Sequence, residues 1–321
     1  MINVGFIGAG DISLLHYEAI KNCNVANLKG IWTRTKENNI NKSKLYNCLS
    51  YDSAEDLIND NSIDCVFILT NYETHHYYAI MALKKGKHVL IEKPTAKNIR
   101  EIEDILNLSI KKKLKCMPVH NYVYEESMFR TKDLIDKGKL GNIVSFYMLY
   151  NIHHPENVAK KYPGVIRQIL THHVYTAMFI VGTPQWVSCM RSTINDGTVP
   201  QENLAMATMK MANGSLAHLN ASFAANDNSG DPWSFLIKII GTKGATRFSH
   251  RDWIENQPGV VHHYTFSAYP YSIRNAATYF LKDVIKDGKK PLSTLEDAIT
   301  CQKVVEACER SSDTNKFIEI K

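Results

Sequence analysis

Ile2-Asn3-Val4-Gly5-Phe6-Ile7-Gly8-Ala9-Gly10-Asp11-Ile12-Ser13 decides the fold. Ile2 to Ile7 reads as a buried strand, Gly8 and Gly10 follow at once, and a helical pattern runs from Leu14 to Ile20. Strand, glycine turn and helix in that order form a dinucleotide fingerprint. The glycines allow a tight turn and let a pyrophosphate approach the helix N-terminus, where Asp11 and Ile12 complete the expected cofactor-binding turn. The third glycine of the fingerprint is replaced by Ser13, another small residue.

The next strand, Leu28 to Trp32, leads into Thr33-Arg34-Thr35-Lys36. An NAD site usually places a carboxylate about 20 residues beyond the glycines. Thr33 and Arg34 stand there instead, and a hydroxyl with a guanidinium suits a 2′-phosphate. The cofactor expected is therefore NADP, with NAD as the alternative. Asp52 to Asn59 is expected as a helix capped by Ser53, and Cys65 to Leu69 as another buried strand. That strand ends in Thr70-Asn71-Tyr72-Glu73-Thr74-His75, which falls at the same edge and puts Thr70, Asn71 and His75 among the cofactor residues. Strands alternating with helices make a parallel sheet.

Gly86-Lys87-His88-Val89-Leu90-Ile91-Glu92-Lys93-Pro94 carries the chemistry. Glu92 and Lys93 sit directly at the carboxyl end of a short strand, the side on which open α/β sheets bind ligands. Pro94 restricts Lys93 to extended backbone. A surface lysine before a loop proline and a lysine facing a ligand are both open at this point.

Gly8-x-Gly10, Thr70 with His75, and Ala82-Leu83-x-x-Gly86-Lys87-His88-Val89-Leu90-x-Glu92-Lys93-Pro94 together resemble the Gfo/Idh/MocA oxidoreductase family. That family includes glucose-fructose oxidoreductase and inositol dehydrogenase. The resemblance implies an α/β Rossmann dinucleotide-binding domain over residues 1–120. Residues 121–321 would form an α+β substrate-binding domain with a large, mostly antiparallel open sheet. In the family this sheet covers the nicotinamide and often mediates oligomerisation, so a homodimer or homotetramer is expected. One departure is visible: Thr70-Asn71-Tyr72 stands where the family usually has Thr-Pro-Asn.

The rest of the chain supplies the substrate side. His120, Tyr122 and Tyr124 fall where the family often reaches toward substrate, although ordinary packing of the two tyrosines is equally open. Met128 to Lys137 is expected as a helix. Strands are expected at 143–150, 185–192, 203–211, 215–223, 234–240 and 245–248, with Asn213-Gly214 as a hairpin turn. Ile166 to Val181 is largely apolar with helical spacing and ends at Gly182; Gln168 and His172, four apart, would share one face. In the family this helix carries Asp-x-x-x-His, and the resemblance makes His172 the proton acceptor from a substrate hydroxyl. Gln168 occupies the aspartate position and Tyr175 the position of a later aspartate. An amide orients groups without sharing a proton, so Tyr175 enters as a further substrate or acid–base candidate. His154, Trp233 and Tyr271 are further pocket candidates. Adjacent histidines recur at 75–76, 153–154, 172–173 and 262–263, but none has metal-ligand spacing and no metal is expected. Ala276 to Ile285 reads as an amphipathic helix, and Ser293 with Glu296 has capping-box spacing before a last helix reaching about Ser311.

Bulk composition agrees. Across 321 residues, 44% are hydrophobic and 22% charged, which suits two globular domains. No apolar run approaches a membrane span, and the N-terminal stretch lacks the features of a signal peptide. Seven cysteines without CxxC spacing fit a reduced, cytoplasmic protein. The charge of +6 contains only one short basic run, Lys111 to Lys115, read as a solvated helix end rather than a nucleic-acid surface. The expectation is an NAD(P)-dependent oxidoreductase acting on a secondary alcohol or ketone of a sugar, inositol or related polyol. A non-catalytic NAD(P)-binding regulator and a redox-assisted glycosidase or lyase are the alternatives.

Overall fold

The structure is a computed structural model describing residues 1–154, 156–194, 200–225, 233–249 and 263–321, without the side chains of Trp233 and of residues 263–268. The strands are β1 (Ile2–Ile7), β2 (Ala26–Trp32), β3 (Leu49–Ser50), β4 (Cys65–Ile68), β5 (His88–Ile91), β6 (Cys116–Pro118), β7 (Ile143–Ile152), β8 (Pro184–Ser192), β9 (Leu204–Met211), β10 (Leu216–Ser222), β11 (Trp233–Gly241), β12 (Ala245–Ser249) and β13 (Ile318–Glu319). The α-helices are α1 (Ile12–Lys21), α2 (Lys36–Tyr46), α3 (Ala54–Asn59), α4 (His75–Lys84), α5 (Ile99–Lys112), α6 (Glu126–Asp136), α7 (Glu156–Ala159), α8 (Thr171–Val181), α9 (His263–Tyr279) and α10 (Leu295–Thr314). Two π-helical turns, Ile166–Leu170 and Phe280–Lys286, adjoin α8 and α9.

By packing, the chain divides into two units. The first is Met1–Tyr124 with Pro270–Ile299, and the second is Glu125–Tyr269 with Thr300–Lys321. By packing the break falls at Tyr124/Glu125 rather than 120/121, and a stretch near the C-terminus returns to the first unit. Its anchor is Phe280, fully buried against Phe67 of β4 at a ring separation of 6.3 Å.

The first unit is a parallel sheet in the order β3-β2-β1-β4-β5-β6, the Rossmann arrangement. Cys65, Val66, Phe67 and Ile68 are all fully buried, as a strand covered on both faces requires. Ser53 caps α3 by accepting the Asp56 N–H at 2.9 Å. The capping box expected at Ser293 and Glu296 lies one residue on. Thr294 Oγ1 accepts the Asp297 N–H at 3.1 Å, and the Asp297 carboxylate accepts the Thr294 N–H at 3.3 Å. Ser293 is withdrawn from capping because its hydroxyl is buried and donates to the Pro118 carbonyl at 2.7 Å.

The second unit is a mixed, mostly antiparallel sheet in the order β12-β11-β7-β10-β9-β8-β13. Only β7 and β10 pair in parallel; the other neighbours run antiparallel. Strand alternation gives the sheet two characters. Phe146, Met148, Ala207, Met209, Leu219 and Ile237 are buried on one face. Tyr147, Leu149, Met206 and Leu216 are exposed on the other.

Candidate active site

The glycine turn of the first unit is shaped by two different demands. Gly8 has φ +97°, and a Cβ there would stand 2.7 Å from the Leu69 carbonyl group at the end of β4. Only glycine fits that position. Gly10 has ordinary backbone, and a Cβ would meet nothing within 4 Å. The space above Gly10 is an open cradle at the N-terminus of α1. Asp11, at the N-cap, makes no side-chain capping bond there. Ser13 is fully buried; its hydroxyl donates to the Gly10 carbonyl at 2.6 Å and lies 2.8 Å from the Tyr46 hydroxyl. The replaced glycine is therefore compatible with the turn, because the added hydroxyl is fully hydrogen-bonded.

A cleft of about 270 Å³ opens on this turn. Gly8, Gly10, Thr33, Arg34, Thr70 and Asn71 all line it, so residues separated in sequence meet at one cleft. Trp32 and Tyr78, 5.8 Å apart edge to face, add an aromatic wall. Arg34 is exposed at the rim. Two asparagines that pattern reading did not single out hold this loop. Asn38 donates to the Ala9 carbonyl at 3.3 Å. Asn39 accepts the Thr33 N–H at 3.2 Å and donates to the Tyr51 carbonyl at 2.7 Å. Neither carried a spacing signal, because their partners are backbone atoms of distant turns.

Thr70 and Thr74 share a hydroxyl hydrogen bond of 2.7 Å across the turn after β4. His75 lies beneath the surface rather than in the cleft lining. Its Nε2 lies 2.9 Å from the Thr70 carbonyl oxygen and its Nδ1 2.8 Å from that of Pro94. Burial lowers its pKa, against the opposing pull of these carbonyls.

Glu92 and Lys93 follow β5, joined to Pro94 by a cis peptide bond. Glu92 is buried and accepts the Lys93 backbone N–H at 3.1 Å. Lys93 is half-buried; desolvation pulls its ammonium pKa down to about 8, against the raising field of Glu92. His120 is buried near it, and desolvation together with the Lys93 charge takes its pKa to about 3. Tyr122 is buried. Tyr124 is spent on packing: its hydroxyl lies 2.9 Å from Ser293 Oγ and accepts the Ser293 N–H at 3.2 Å. Asn121 is buried likewise and donates to Ser272 Oγ at 2.6 Å. Tyr271 is exposed, with the Arg274 guanidinium 4.3 Å above its ring.

In the second unit, the helix carrying Gln168 and His172 is not regular. Residues 166–170 form a π turn, whose i→i+5 bonding widens the spiral. Gln168 lies in this π turn and His172 at the start of α8, so their offset round the helix differs from that of a regular 3.6-residue spiral. The turn is held from outside. Glu202 accepts the Ile166 N–H at 3.4 Å, and Arg167 forms a two-pronged ion pair with Glu309 at 2.7 Å on each arm. Gly164, φ +102°, leaves room for the Glu202 carboxylate, which a Cβ would strike. His172, His173 and Tyr175 are buried on α8, and Gln168 is half-buried. Burial takes the His173 pKa down to about 3. His154 packs in an aromatic cluster with Tyr162 and Phe223, at ring separations of 5.1 and 6.0 Å. The side chain of Trp233, His262 and the side chain of His263 lie outside the described residues. Among the described residues no cluster of His, Cys, Asp and Glu could hold a metal ion, and no helix is long and apolar enough to cross a membrane.

Comparison with known proteins is consistent across both units. Residues 2–120 match the oxidoreductase family with an NAD-binding Rossmann fold, and residues 129–247 match the GFO/IDH/MocA C-terminal domain. Glucose-6-phosphate 3-dehydrogenase of Bacillus subtilis (strain 168) is 30% identical over 159 residues, covering 50% of this chain and 44% of that protein. A glycosyl hydrolase family 109 protein of Bacteroides fragilis (strain YCH46) is 34% identical over 109 residues, covering 33% of this chain and 24% of that one. The chain thus spans about half or less of the length of these curated relatives. The crystal structure of scyllo-inositol dehydrogenase from Lactobacillus casei with bound NAD(H) and scyllo-inositol superposes with a TM-score of 0.86 at 19% identity, covering 100% of this chain and 99% of that one. With the glycine cradle, the Glu92-Lys93-Pro94 turn and both domain matches in place, the chain belongs to the Gfo/Idh/MocA oxidoreductase family.

Proposed function

We propose that this protein is an NAD(P)-dependent dehydrogenase acting on a secondary alcohol, or the corresponding ketone, of a sugar, inositol or related polyol. The observation that carries the reading is Lys93. Lys93, a half-buried lysine whose backbone N–H donates to the buried Glu92 carboxylate, stands at the carboxyl end of β5, the ligand side of a parallel sheet. The residues present fit a dinucleotide. The space over Gly10 that a Cβ would fill suits a pyrophosphate, and the uncapped N-terminus of α1 favours its charge. A bound nicotinamide supplies hydride transfer. Lys93, as a cation, hydrogen-bonds the substrate oxygen and stabilises its developing charge. His172 takes the hydroxyl proton, and Gln168 orients groups by hydrogen bonds. His120, Tyr122, His154 and Tyr175 are assigned to the substrate side, whereas the hydroxyl contacts of Tyr124 favour a packing role.

We assign NADP as the preferred cofactor. Thr33 and Arg34 line the cleft where a carboxylate would discriminate for NAD. A panel of sugars, aminosugars, uronates and inositols, assayed with NAD and NADP, tests both statements. Absence of any substrate-dependent change in nicotinamide absorbance would defeat them.

A second reading is favoured by the similarity to glycosyl hydrolase family 109 over 109 residues. In that reading the cofactor is reduced and reoxidised within one turnover while a neighbouring glycosidic bond is eliminated. Product analysis showing a released sugar without net reduced cofactor would select it. A homo-oligomer fits the exposed apolar face of the second sheet, and a cytoplasmic setting fits seven free cysteines.

A further inference from the structure

His16 sits on α1, in the helix that follows the glycine turn, and is fully buried. Its ring stands edge-on to Phe6 and Phe67, at centroid separations of 6.5 and 5.5 Å. These residues belong to β1 and β4, so the slot is flat and apolar. At its far end His16 Nε2 donates to Glu92 Oε1 at 2.8 Å. The other carboxylate oxygen, Oε2, accepts the Lys93 backbone N–H at 3.1 Å. The His16 Nδ1 atom has no hydrogen-bond partner among the described residues. A carboxylate oxygen accepts, so Nε2 is the ring nitrogen that donates to Glu92.

We propose that His16 is a positioning residue for Lys93 and acts through Glu92. It pins one carboxylate oxygen so that the other braces the Lys93 backbone and the negative charge stays in place as the counter-charge of the ammonium. The inference rests on reading Lys93 as the site lysine. Among the described residues of the first unit, the Glu92 carboxylate favours the charged lysine, and His120 is buried close enough to feel its charge. Glu92 is thus the charge through which His16 reaches the ammonium. The arrangement joins the helix of the cofactor turn to the turn bearing the lysine, 76 residues apart in sequence.

The test is a pH titration of the Lys93 side chain in the full chain labelled with ¹³Cε-lysine, its resonance identified by its loss in Lys93→Arg. Glu92→Gln is expected to lower the Lys93 midpoint by roughly one pH unit or more, the scale of a lost opposite charge. His16→Leu is expected to lower it in the same direction by about half as much. His16→Gln keeps a donor within reach of Glu92 and is expected to titrate with the wild type. His16→Phe retains a flat ring in the slot and replaces the leucine variant if that one does not fold. A Lys93 midpoint unchanged in the folded Leu or Phe variant, while Glu92→Gln moves it, overturns the proposal. So does a His16→Gln midpoint displaced as far as that of Glu92→Gln. The midpoint is read without substrate, so its outcome is independent of turnover. The functional reading of Lys93 fails separately, if Lys93→Met retains full activity.

Discussion

His75 Nδ1 lies 2.8 Å from the carbonyl oxygen of Pro94, and the opposite ring nitrogen lies 2.9 Å from that of Thr70. One buried imidazole thereby ties the turn after β4 to the turn after β5. Carbonyl oxygens only accept, so a neutral ring satisfies one of them at a time and the imidazolium would satisfy both. Burial opposes that charge and holds the pKa below its usual value. His75→Leu removes the tie and the one N–H that the neutral ring offers these carbonyls. The first unit is expected to lose about 2 kcal/mol of stability, read as a lower urea midpoint. An unchanged midpoint would show that the tie is replaceable.

Lys93 carries the reaction in the proposed function. Lys93→Met is expected to lower kcat about 100-fold, the scale of removing one transition-state donor, with cofactor affinity retained. With its ammonium pKa at about 8, the rate that depends on the cation is expected to fall as pH rises through that value. A rate flat through pH 9 would remove the cation from the mechanism.

Arg34 should separate the two cofactors. Loss of one charge-assisted contact to a 2′-phosphate costs about 1.5–3 kcal/mol. Arg34→Ala is therefore expected to weaken NADP binding roughly tenfold to a hundredfold while NAD binding is unmoved. Titration calorimetry with both dinucleotides reads the difference directly, and equal losses for the two would refute a 2′-phosphate contact.

His173 makes acid a destabilising condition. Its folded pKa is about 3 against an ordinary value of 6.5, so between these limits the unfolded chain binds the extra proton. This contribution to stability is complete above pH 6.5 and is lost as pH falls. The slope is about 1.4 kcal/mol per pH unit for one such group. His120, also buried with a pKa of about 3, adds a second. His173→Phe is expected to remove one proton's share of the slope, measured by denaturant midpoints between pH 7 and 4.5.

The exposed sheet face has a register that suits a self-association surface. Leu236, Leu149, Asn220, Met206 and Met190 lie opposite one another across five neighbouring strands. Leu149→Lys with Met206→Lys is expected to reduce the solution mass to that of one chain by light scattering, with the fold intact by circular dichroism. An unchanged oligomer would place the interface elsewhere.

Much of the first unit was legible because its signals are local. Gly8, Gly10 and the Glu92-Lys93-Pro94 turn each occupy a few consecutive residues whose backbone demands are visible in their types. What escaped was long-range. His16 reads as one more helix residue until β5 brings Glu92 beneath it. The π turn at 166–170 meets Glu202 and carries the Arg167–Glu309 pair, contacts that no periodicity encodes. The capping box moved from Ser293 to Thr294 because Pro118, far upstream, claims the serine hydroxyl.

The return of Pro270–Ile299 to the first unit has a consequence during synthesis. Phe280, which covers Phe67, leaves the ribosome long after the parallel sheet has been made. At ordinary elongation rates the interval from Tyr124 is on the order of ten seconds. For that time the nascent sheet carries an uncovered apolar flank and is open to chaperone capture or misassociation. Substitutions at Phe280 should therefore show themselves first as poor yield of folded protein, before any defect in the activity of the molecules that do mature.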